Sequence, residues 1–159
     1  MKKWVVLLGF LFCFSAHEGN AAPPLVDITN MNDFTLGTWD VSSDMSGNDP
    51  VCVYKSRVDG IYHVTATDNS TLSPTQFRIE NATGTVELPY TIKWGETASP
   101  GTTVLQDGVP YSATGANTVS QTCGSGELSA NLGITVAAAD IQTLPAGTYT
   151  ATVTIGVTP

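Results

Sequence analysis

An all-β fold, an antiparallel sandwich or barrel, follows from three features of the sequence. Its C-terminal segment alternates between apolar and threonine positions, turn-forming residues recur between short strand-like runs, and only one brief stretch has helical character. The low charge agrees. Asp, Glu, Lys and Arg make up 13% of the chain, about half the usual share, which argues against long charged surface helices, coiled coil and disorder.

Taken in chain order, short strands are predicted over residues 34–40, 51–57, 61–67 and 76–81. Val86, Leu88, Tyr90, Ile92 and Trp94 then share one face against Glu87, Pro89, Thr91 and Lys93, with Pro89 marking an edge or a bulge because it has no N–H to donate. A short candidate follows at 102–106. Leu128, Ala130, Leu132 and Ile134 alternate with Ser129, Asn131, Gly133 and Thr135. Residues 137–143 are the helical candidate, stopped by Pro145. The last strand is the most regular: Tyr149, Ala151, Val153, Ile155 and Val157 on one face, Thr148, Thr150, Thr152 and Thr154 on the other. β-branched residues at a period of two suit a half-buried strand. Turn chemistry divides the runs at Asp59-Gly60, Asp68-Asn-Ser-Thr71, Asn81-Ala-Thr-Gly84, Ala98-Ser-Pro-Gly101, Asp107-Gly108 and Gly124-Ser-Gly126.

The first 21 residues read as an export signal: Lys2 and Lys3, an apolar run over 4–14, then a polar stretch with Gly19 and Ala21 at −3 and −1 of a cut before Ala22. The apolar run is too short to span a bilayer, and no later segment is long enough to do so as a helix. Export changes two counts. Cys13 leaves with the signal, so Cys52 and Cys123 remain, and in an oxidising compartment the reading is one structural disulfide. The net charge of −8 becomes −9, because 13 acidic and only 4 basic side chains (Lys55, Arg57, Arg78, Lys93) remain. Such a domain is no electrostatic nucleic-acid binder. It must associate through main-chain or apolar contacts.

Chemistry finds little purchase here. His63 is the one histidine after the signal; a hydrolytic triad would need a positioned Ser and Asp, and no Gly-x-Ser-x-Gly elbow occurs. A catalytic zinc site would need more nitrogen or sulfur ligands. Asp40, Asp44 and Asp49 suggest calcium but lack the spacing and closing Glu of a calcium loop, so a solvated loop is expected over 40–49. Asn69-Ser-Thr71 and Asn81-Ala-Thr83 match glycosylation acceptors, with plain turn residues as the alternative. Trp39, Trp94 and Tyr111 could stack on sugar rings, although Trp94 ends an apolar strand face and packs by default in a core. The reading is no enzyme and no cofactor.

A set of segments in order carries a resemblance: Phe34-Thr-Leu-Gly-Thr-Trp39, Val51-Cys-Val-Tyr54, Tyr62-His-Val-Thr-Ala-Thr67, Leu88-Pro-Tyr-Thr-Ile-Lys-Trp94, Gln121-Thr-Cys123 and Pro145-Ala-Gly-Thr-Tyr-Thr-Ala-Thr-Val-Thr-Ile155. Over about 34–157 the chain resembles the spore coat U domain family, which includes subunits of archaic chaperone–usher pili. The resemblance implies an immunoglobulin-like sandwich missing its final strand, which a periplasmic chaperone and then the N-terminal extension of a neighbouring pilus subunit supply. It also implies an outer-membrane usher as partner, transit through the periplasm, and a final place in a cell-surface fimbria. Tyr149, Ala151, Val153, Ile155 and Val157 would then line the strand-exchange groove, and Cys52 and Cys123 match the family's half-cystines.

The implied division is a signal over 1–21, an N-terminal extension over 22–33 and a sandwich domain over 34–159. In the extension Leu25, Val26 and Ile28 are the candidate donor residues, but Asn30 and Asn32 interrupt the pattern. Three options stand: a short donor, a subunit that accepts a strand without giving one, or a segment 24–29 that belongs to the domain's own first strand. The alternative functions are a lectin-like adhesin or tip domain, and an extracellular coat component.

Overall fold

The computed structural model describes residues 23–40, 42–68, 76–124 and 128–159. Eleven strands and one short helix appear in this order: β1 (Val26–Thr29), β2 (Met45–Lys55), β3 (Tyr62–Asp68), β4 (Arg78–Asn81), β5 (Glu87–Pro89), β6 (Thr91–Gly95), β7 (Thr103–Val104), β8 (Tyr111–Ala113), β9 (Ala130–Val136), α1 (Ala138–Ile141), β10 (Tyr149–Thr150) and β11 (Val153–Thr158). Every pairing between strands is antiparallel. One layer is a five-stranded sheet in the order β1-β2-β9-β6-β7; the other consists of two three-stranded sheets, β11-β3-β8 and β10-β4-β5.

Alternation places the core between the layers. Val51, Val53, Ile92, Trp94, Ala130, Leu132 and Val136 of the first layer meet Tyr62, Val64, Ala66, Leu88 and Ala113 of the second. The Trp94 indole N–H donates to the Tyr62 hydroxyl across this space at 3.1 Å, with the rings edge to face at a centroid distance of 6.4 Å. A buried indole needs such an acceptor, because an orphaned donor costs about 1–3 kcal/mol. Burial in turn pushes the Tyr62 phenol up to about 12.

The predicted run through 86–94 is one extended stretch that serves two sheets. β5 pairs with β4, whereas β6 pairs with β9 and β7. The change falls at Pro89-Tyr90: the Tyr90 N–H still donates to the Phe77 carbonyl at 3.2 Å, while Pro89 has no N–H to offer a further strand. Leu88, Tyr90, Ile92 and Trp94 nevertheless all face the core. At the far end of β6, Gly95 and Gly101 let two backbones touch: a Cβ on Gly101 would lie 2.2 Å from the Gly95 nitrogen and the Trp94 carbonyl.

The β2–β3 turn closes on a buried amine. Lys55 is 5% exposed; its ammonium donates to the Ile61 carbonyl and pairs with Asp59 at 2.8 Å. The Lys55 hydrogen bond to Asp59 holds that carboxyl below its usual range. Cys52 and Cys123 are bonded, so the outer side of β2 is tied to the 117–124 segment, which also bridges to Tyr54 through Asn117.

Four sequence expectations change. Residues 34–40 form no strand; Gly37 takes φ +82°, and the chain crosses onto β2 rather than running in a ladder. The single strand expected over 147–157 is two, because its start pairs with β4 and its end with β3. The acidic stretch 40–49 is only partly a solvated loop: β2 begins at Met45, and Asp49 is 8% exposed. The helix at 137–143 shrinks to α1, whose first N–H, on Ala138, donates to Asp44 at 2.8 Å.

Candidate functional site

The unusual feature of this sandwich is a pair of open edges side by side. Among the described residues, β11 has β3 on one side and no ladder on the other, and β1 ends the five-stranded sheet with β2 as its sole ladder partner. β1 and β11 lie next to each other without pairing. The registers Val26↔Lys55 and Thr158↔His63 put the start of β1 and the end of β11 at the same pole. The two strands therefore flank the gap in opposite directions.

The side chains along this gap are apolar and incompletely covered. Val153, Ile155 and Val157 pack against the core yet remain half-buried, alternating with exposed Thr154, Gly156 and Thr158. Val26 and Ile28 of β1 are likewise half-buried, and Leu25 is 50% exposed. An edge strand with free N–H and C=O groups and a row of apolar side chains is a template for another strand. It can give main-chain hydrogen bonds and side-chain pockets to an extended segment.

The structure sorts the residues singled out from sequence. Val153, Ile155 and Val157 line the gap together. Tyr149 is half-buried on β10 and donates its hydroxyl to the Pro145 carbonyl at 2.8 Å. Ala151 does not join them: it is exposed in the break between β10 and β11, where the chain changes partner strand. Val26 and Ile28, considered as donors, form β1 on the chain's own β2, so the segment 22–33 contributes a strand to the same sheet. Residues 1–21 lie outside the described ones.

Sequence reasoning missed what continues from β1. Past Asn30, which adopts φ +64°, the Asn32 main-chain N–H and side-chain amide donate to the Asp49 carboxylate at 2.7 and 3.0 Å. Phe34 and Leu36 then lie over Gly47, where a Cβ would meet the phenyl ring at 2.7 Å and the leucine methyl at 3.2 Å. Gly47 and Asp49 share the β2 face of Val51 and Val53, which is the core side. Phe34 and Leu36 alternate in sequence, which was a visible sign of an inward face. Nothing local showed that β2 would receive them.

The other candidates are spread over the fold. His63 is half-exposed on β3, a ring nitrogen 3.3 Å from the Pro159 carbonyl oxygen. Trp39 donates its indole N–H to Ser43 at 2.7 Å. Tyr111, on the opposite edge of the second layer, donates its hydroxyl to Glu96 at 2.8 Å, and Thr114 donates to the same carboxylate at 2.6 Å. Those bonds, Thr114's first, hold Glu96 below the usual carboxylate range. Asp40 accepts from the N–H groups of Ser42 and Ser43, which draw its carboxyl down to about 2. The Asn81 amide is occupied within its turn, accepting from Thr85 and Val86; Asn69 lies outside the described residues. Among the described residues no group of three or more His, Cys, Asp or Glu could hold a metal ion. None of their helices is long and apolar enough to cross a membrane.

No family model matches this chain, and no curated protein matches it by sequence. Its fold does have a counterpart among solved structures. A chain from a structure described as a chaperone–tip adhesin complex, vital for synergistic activation of CFA/I fimbriae biogenesis, superposes with a TM-score of 0.59 at 17% sequence identity. The match covers 84% of this chain and 41% of that one, so this chain spans about two fifths of its structural counterpart. The likeness is one of fold: an all-β antiparallel sandwich.

Proposed function

We propose that this chain is an exported structural subunit of a chaperone–usher fimbria, assembled by donor-strand exchange, as its resemblance to the spore coat U domain family implies. The observation that carries the proposal is the unpaired edge of β11 beside β1, with Val153, Ile155 and Val157 half-buried along it. A strand laid there would complete the second layer and cover those side chains. The fold shared with a chain of a chaperone–tip adhesin complex supports the same reading. A periplasmic chaperone would fill the edge first and a neighbouring subunit afterwards, with an usher at the outer membrane. The four basic residues left after export suit an assembly based on main-chain and apolar contacts rather than salt bridges.

The test is thermal unfolding of the full exported chain with and without a lysine-flanked peptide of alternating valine and threonine. Peptide at about a hundred times its Kd should add about 2.7 kcal/mol of stability, and Ile155→Asp should remove the response. A chain whose melting temperature ignores the peptide would overturn the proposal. So would an Ile155→Asp variant that responds as the parent does.

A further inference from the structure

The segment 31–40 bears on how the open edge is controlled. β9 pairs with β2 along Met45 to Val51, and on the opposite side β1 pairs with β2 only along Cys52 to Lys55. The stretch Met45–Val51 therefore has no ladder on its β1 side among the described residues. Residues 31–40 run along this open side but form no strand. Side chains hold them instead: the Asn32 pair of hydrogen bonds to buried Asp49, and the packing of Phe34 and Leu36 over Gly47. Phe34 and Leu36 are themselves only half-buried.

Resting on the strand-acceptor reading, we propose that residues 32–36 are an internal plug. It occupies the core side of β2 in the unpaired chain and yields to an incoming strand. The plug covers apolar surface without the directional strength of a ladder, so a segment that brings main-chain hydrogen bonds can displace it. Asp49 is the latch. Its carboxylate faces the side of β2 that also carries Met45, Val51, Val53 and the buried Lys55, and it is tied to the plug by both Asn32 donors. The occupant that displaces the plug is an extended segment with alternating apolar side chains, from a second copy or a subunit of the same fold. Glycine at position 47 leaves room for the phenyl ring in the closed state.

The experiment compares the full exported chain with Asp49→Ala and Asn32→Ala, using the fluorescently labelled lysine-flanked valine–threonine peptide. Association is followed by anisotropy, and deuterium uptake of residues 31–40 by mass spectrometry. Loss of the latch should raise the association rate about tenfold for Asp49→Ala, which removes two hydrogen bonds, and about threefold for Asn32→Ala, which removes one, the size of ordinary net hydrogen bonds. Deuterium uptake over 31–40 in the parent chain should rise when peptide binds. Equal association rates in all three proteins, or protection of 31–40 on binding, would overturn the plug and leave the acceptor edge standing. No peptide binding by any of them would overturn both. If Asp49→Ala fails to fold, Asn32→Ala decides alone, because Asn32 is exposed and its main-chain N–H still reaches Asp49.

Discussion

Replacing Cys52 and Cys123 together by alanine should lower the melting temperature of the chain 22–159 by about 15 °C. The disulfide closes a loop of sequence separation 71. Loop-closure entropy for that length destabilises the unfolded chain by about 4 kcal/mol. A domain of this size gains roughly 0.3 kcal/mol/K of unfolding entropy, taking about 2.1 cal/mol/K per residue. Dividing one by the other gives the expected shift. The loss is also a large part of a typical total stability of about 5–15 kcal/mol. The bridge has a local consequence as well. Asn117 pairs with β2 in the same segment, so its amide should lose exchange protection in the variant. The assay is scanning calorimetry of the oxidised parent and the double variant at the same pH and concentration, with hydrogen exchange read at Asn117. A fall of less than about 3 °C would refute the loop-entropy argument, since that leaves under about 1 kcal/mol of the closure term. Unchanged protection at Asn117 would refute the tethering.

Two further outcomes follow from packing and charge. Gly101→Ala should destabilise the fold by about 1–3 kcal/mol or prevent it, because its Cβ would fall 2.2 Å from the backbone of Trp94 and Gly95 rather than against a yielding side chain; denaturant titration measures this, and a neutral result would refute the close approach. The Tyr62 phenol should stay neutral until about pH 12, so the stability it contributes is fully present below its unfolded pKa near 10 and lost as pH rises through 12. Ultraviolet titration of the parent against Tyr62→Phe reads it, and ionisation near 10 in the folded chain would contradict burial as the cause.

Residues far apart in the chain differ in how legible their roles were. The face shared by Val153, Ile155 and Val157 was readable, since a strand's alternation depends only on its own sequence. So was the pairing of Cys52 with Cys123, the two thiols that follow the predicted signal. The misplacement of Ala151 has a different origin. Its parity matches its neighbours, but it falls in the break where the chain leaves β4 for β3, so it is exposed. The segment after β1 failed in the same way. Phe34 and Leu36 alternate as a strand would, yet they pack over Gly47 while Asn32 bonds to Asp49, and they form no ladder with the open side of β2.

What the sequence by itself determined was the fold class, the apolar face of each main strand, the turns and the covalent bridge, all of which rest on local periodicity or on a count of thiols. The tertiary structure decided the neighbours: that β5 and β6 serve different sheets, that β1 closes on β2, and that the free edge of β11 lies beside it. The reason is physical. A strand's two faces are set by its own side chains, but which edge stays unpaired depends on every other strand finding its partner.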